Sequence, residues 1–133
     1  MGNRVQRVIT VLETEIEQAI RYMGLEVTDK LVEVTPVDTG WARINWIPSI
    51  TEAVEETAGS RAAAEGGNLD SGPQETGLAE ISSYNLEQGD AFVRNNVPYI
   101  QRLNAGSSAQ APTGFVEIAI DEVIAEAESR FGR

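Results

Sequence analysis

From Val5 to Leu31 an apolar residue returns every three or four positions, through Val8, Ile9, Leu12, Ile16, Ala19, Ile20, Met23 and Val27. That spacing follows the helical period and gathers these side chains on one stripe, so the start of the chain predicts a single amphipathic helix of roughly thirty residues. Gly24 interrupts it at a cost of about 1 kcal/mol relative to alanine, and marks either a bend or a close packing contact. Pro36 ends the helix, because the residue before a proline is pushed out of the helical region.

Beyond that helix the pattern is mixed. Trp41 to Ile47 alternates as a strand would, with Ala42, Ile44 and Trp46 on one face, and Pro48 limits its length or places it at a sheet edge. From residue 51 to 77 the composition turns to Glu, Ala, Gly and Ser, which reads as a long polar, mobile insertion. Leu78, Ile81 and Leu86 predict a short middle helix, and "AFVRNN" after Gly89-Asp90 a second short strand. Val97 to Leu103 predicts one or two helical turns opened by Pro98. Phe115, Ile118, Ala119, Glu122, Val123 and Ala127 fit a C-terminal amphipathic helix beginning near residue 116. The expected fold is α+β: one domain over 1–133, with a long N-terminal helix, a short middle helix and a C-terminal helix accompanying the two strands.

Composition narrows the chemistry. The 133 residues contain neither cysteine nor histidine. A disulfide framework, thiolate chemistry, imidazole-based nucleophile dyads and the usual transition-metal ligands are therefore excluded, with a lean toward an intracellular origin. The formal charge of −11 opposes binding to DNA phosphates or to an anionic membrane. No apolar run approaches the length of a membrane span. No cofactor, metal or catalytic residue is expected.

Asp38-Thr39-Gly40 matches the tripeptide of aspartic hydrolases. Those enzymes carry it in an almost entirely β fold and pair two carboxylates to share a proton. Here it follows a long helix, with Pro36 just upstream, so the expected role is a structural turn: Asp38 and Thr39 bonding the local backbone and Gly40 supplying a permissive dihedral. The clusters "ETEIE", "EAVEE" and "IDEVIAEAE" lack calcium-loop spacing and read as solvated helical faces. No phosphate-binding glycine loop occurs.

The stretch from Arg94 to Val116 reads as a strand end, a Pro-Tyr turn and a loop of small residues. Together, "TPVDTGWARINW" and "NNVPYIQRLNAGSSAQAPTGFV" resemble the small neck or tail-completion proteins of long-tailed bacteriophages and prophages. The matching positions are Thr35 to Gly40, Arg43 and Trp46, then Asn95, Asn96, Pro98, Tyr99, Leu103, Gly106, Ser108, Gln110, Ala111, Pro112, Gly114 and Phe115. Asn104 departs from the pattern, standing where relatives commonly carry an acidic residue.

The resemblance implies a small antiparallel sheet packed on the long helix, and copies arranged as a ring, a hexamer favoured, at the head-tail junction. It implies tail tube and head connector or stopper proteins as partners, with DNA passing through the lumen without sequence-specific contact. A tail terminator or a head stopper is the alternative within the same neck. From another class, a small acidic protein that mimics DNA is the alternative. Tyr99, Arg102 and the loop Gly106, Ser107, Ser108 and Gln110 are the expected assembly interface, where a bulky replacement of Gly106 or Ser108 should block assembly yet leave a folded monomer.

Overall fold

Helix α1 spans Gly2–Val34 in the computed structural model, which describes residues 2–132. A single turn, α2 (Trp41–Ile44), leads into strand β1 (Ile47–Ile50). Helices α3 (Arg61–Glu65) and α4 (Gly72–Ile81) and a 3-10 turn at Leu86–Gln88 then precede strand β2 (Ala91–Arg94). Helices α5 (Ile100–Asn104) and α6 (Phe115–Phe131) complete an α+β fold. The strands form a two-stranded antiparallel sheet pairing Ile47 with Arg94 and Ile50 with Ala91. Pro48 is tolerated inside β1 because a two-stranded sheet has only edge strands.

The C-terminal half of α1 lies along α6, which runs antiparallel to it. Lys30 bridges Glu122 at 3.1 Å, while Tyr22 meets the ring of Phe131 edge-on at 5.6 Å. Leu31, Trp46 and Ala119 are buried where helix, sheet and α6 meet, with Val27, Val93, Ile100 and Val116 around them. A second cluster joins Trp41, Ala64 and Val97.

Gly24 is a packing contact: a β-carbon there would press into the buried Ile81 of α4. Gly77 does the same work on the other side of α4, facing the carbonyl of Pro48 in β1. One turn earlier the Gln74 amide donates to the carbonyls of Arg43 at 2.9 Å and Trp46 at 3.0 Å, fixing α4 over the start of the strand.

Two expectations are corrected. Residues 41–46 are a helical turn and its exit, not a strand, and β1 begins only at Ile47. Trp41, Ala42, Asn45 and Trp46 are the buried positions, a spacing that belongs to a helix, and the Asn45 amide donates back to the Trp41 carbonyl at 2.8 Å.

Nor is 51–77 a loose insertion. The Asn45 side chain brackets the backbone of Ala58, accepting its N–H at 2.6 Å and donating to its carbonyl at 3.3 Å, while the Trp41 indole donates to that carbonyl at 2.8 Å. Asn96 donates to the Val54 carbonyl at 2.7 Å. Polar donors from distant positions hold a segment that has no apolar period of its own. Its latter part is already α4, which starts at Gly72 rather than near Leu78, and α5 starts three residues later than the proline turn predicted.

Replacing Gly77 with alanine should force α4 away from β1 and lower the unfolding free energy by about 1–3 kcal/mol. Denaturant titration reads this directly, and an unchanged midpoint would show that the approach of α4 to β1 is not tight.

Candidate assembly surface

The two segments singled out in the sequence pack against each other. The Gln110 side chain accepts from the Val37 N–H at 2.9 Å and donates to the Val37 carbonyl at 3.0 Å, pairing with that residue as a neighbouring strand would. Pro36, Val37, Asp38, Thr39 and Gly40 thereby share one small cleft with Tyr99, Leu103, Ser108 and Gln110. Gly40 adopts φ +89°, and the Thr39 hydroxyl accepts from the Trp41 N–H at 3.3 Å, as a structural turn requires.

Asp38 plays a different part. It lines a neighbouring open cleft of about 300 Å³ with Thr39, Arg61, Tyr99, Arg102, Leu103 and Ser107. Among the described residues lining it no second carboxylate accompanies Asp38, so this cleft does not hold the carboxylate pair of an aspartic hydrolase. Tyr99 is half-buried, with its ring tilted against Trp41 at 6.1 Å and the Arg61 guanidinium 6.0 Å from its centre. Burial, with a smaller contribution from Asp38, raises the Tyr99 phenol above its ordinary value despite the opposing effect of Arg61. Arg61 is paired with Glu65 of its own helix at 3.0 Å, and Arg102 stands exposed at the same cleft. Arg61 comes from α3, inside the stretch whose composition reads as loop.

The expected interface loop divides. Arg102 and Ser107 are exposed at the cleft. Gln110 is committed internally, and the Ser108 hydroxyl accepts from the Gln110 N–H at 3.1 Å, shaping the turn that presents it. Gly106 sits at φ +98° with its α-carbon turned against Thr113, so a bulky residue there strains the loop itself. A bulky residue at Gly106 should therefore cost the loop stability as well as affect assembly.

Asn104, the departure from the family pattern, has its own partners. Its side-chain oxygen accepts from the Val116 N–H at 2.9 Å, capping the start of α6, and its side-chain amide donates to both Glu117 carboxylate oxygens at 2.9 Å. That hydrogen bond, aided by the backbone of Glu117, holds the carboxyl below the usual carboxylate range. An aspartate at 104 would face Glu117 with a like charge.

The remaining motif residues are internal ties. The Trp46 indole donates to the Thr35 hydroxyl at 2.7 Å, Arg43 donates to the Thr35 carbonyl at 2.8 Å, and the Asn95 amide donates to the Ala42 carbonyl at 2.8 Å. Of the C-terminal carboxylates, Lys30 approaches Glu122 at 3.1 Å and Glu126 at 3.9 Å. Among the described residues no cluster of three His, Cys, Asp or Glu side chains is arranged to hold a metal ion, and no helix is long and apolar enough to cross a membrane. Comparisons with protein-family models, with characterised proteins and with solved structures find no match for this chain.

Asn104→Ala should return the Glu117 carboxyl toward its ordinary titration range. A depressed folded-state value contributes stability that is present above the unfolded carboxylate value and is lost as pH falls through the folded one. The wild-type advantage over Asn104→Ala should therefore shrink on acidification. Titration of Glu117 by NMR in both proteins checks it, and identical midpoints would contradict the assignment.

Proposed function

We propose that the chain is a structural subunit of the neck of a long-tailed phage, assembling as a ring, a hexamer favoured, at the head-tail junction of the virion. The observation that carries this reading is the mutual packing of the two segments on which the resemblance rests. Through Gln110 and Val37 they form one surface, and that surface presents Tyr99, Arg102 and Ser107 outward. A subunit made for a ring needs such a face toward its neighbour, and heterologous contacts of this kind close by rotation.

The partners in this reading are the tail tube on one side and the head connector or stopper on the other. DNA passes through the lumen without being read, and the charge of −11 suits that passage because acidic walls repel phosphate. The chain acts by binding and shape rather than by catalysis.

Electron microscopy of particles made by the parent phage without this gene tests the reading. DNA-filled heads beside separate tails of normal length are the expected result. Overlong tails would make the protein the terminator and emptied heads the stopper, whereas intact infectious particles would remove it from the neck.

A further inference from the structure

Helix α1 has 33 residues and α6, its main cover, has 17. Because α6 runs antiparallel from Leu31 back toward Tyr22, it ends where half of α1 is still to come. From Asn3 to Ile16 every residue is exposed, a projection of roughly 20 Å at the helical rise. Yet Val5, Ile9, Leu12 and Ile16 continue the stripe that Ile20, Met23 and Val27 carry into the body, and they stand 60%, 41%, 52% and 49% exposed. A polar helix would need no cover. This one keeps a core-type stripe over a stretch with no core beneath it.

The same stripe runs into an apolar groove of about 360 Å³, with Ile20, Met23 and Val27 as one wall and Ala91, Phe92 and Val93 of β2 as another. Groove and tip also differ in charge. The first twelve residues hold Arg4 and Arg7 and no carboxylate, whereas all 21 acidic side chains lie beyond them, against eight of the ten basic ones. Asp90 lines the groove, Glu87 lies in the turn leading to it, and Arg21, the nearby cation on α1, is tied to the Tyr84 carbonyl at 2.6 Å. The tip's own hydroxyls are satisfied within the helix, Thr10 donating to Gln6 and Thr14 to Thr10, each at 2.9 Å. Up to Leu12 the tip offers outward apolar surface flanked by the positive charge of Arg4 and Arg7, before Glu13 and Glu15 reverse the sign.

We propose that the tip of α1, up to Leu12, docks in the groove between α1 and β2 of a second copy of this chain. An apolar, basic helix end and an apolar groove with an acidic rim are complementary in shape and sign, and both belong to the same molecule. The inference rests on the helix and the groove and stands apart from the neck reading, to which it would supply one contact between subunits.

The absence of cysteine makes the contact directly testable. Gln6→Cys, at the edge of the stripe, and Ala91→Cys, in the groove, are prepared as separate full-length proteins, mixed and treated with a short bismaleimide. The proposal predicts a cross-linked species containing one copy of each variant, weakened roughly tenfold when Arg4 and Arg7 are both replaced by glutamate. Light scattering on Ile9→Glu/Leu12→Glu should show loss of the assembly with an unchanged circular dichroism spectrum, because both side chains are exposed in the lone subunit. Absence of the mixed cross-link, or cross-links only between two Gln6→Cys copies, would overturn the proposal. A mixed cross-link in a particle of two copies would uphold it and contradict the ring, and a ring-sized particle without that cross-link would do the reverse.

Discussion

The buried hydroxyl of Thr35 is where the molecule is tied together. It donates to the Leu31 carbonyl at the end of α1 and accepts the Trp46 indole N–H, while the carbonyl of the same residue accepts Arg43. One residue thereby ends the long helix, anchors the tryptophan that enters the core, and holds the turn preceding β1. A buried hydroxyl without these partners would cost about 1–3 kcal/mol, so the geometry around it is strongly enforced. Every buried side-chain nitrogen and oxygen among the described residues is similarly satisfied.

This wiring explains what could be read from the sequence. The two terminal helices declared themselves through apolar periodicity, and β2 through the short apolar run that follows the turn at Gly89-Asp90. The turn at Gly40 was legible from residue chemistry alone. The strand expected over residues 41–47 failed because period-two and helical burial look alike over six residues, and the Asn45 bond that decides between them is invisible in sequence. The order of residues 51–77 was hidden for a related reason: its backbone is held by Asn45, Trp41 and Asn96, none of which belongs to the segment.

The candidate surface was partly legible. Tyr99, Arg102 and Ser107 lie together on an open cleft with Asp38, while Gln110 and Gly106 also shape the loop, through the bonds to Val37 and through a positive φ. Arg61 joins them from a helix that composition had disguised. The exposed half of α1 was latent in a simple comparison of lengths, since no later apolar pattern extends as far as the first. Burial makes the difference visible: the same stripe is half-buried from Ile20 onward and exposed before it.

In the proposed assembly the body of the subunit is closed by internal polar ties and its long helix docks on another copy. Hydrogen exchange of the wild-type protein, followed by mass spectrometry across a series of protein concentrations, tests this most directly. Amides from Val5 to Ile16 should exchange quickly when dilute, as an unsupported helix end does. They should slow as concentration rises, together with those of Ala91 to Val93, while the α1 segment packed on α6 stays protected throughout. Fast exchange at the tip at every concentration, with no change in the groove, would contradict the account.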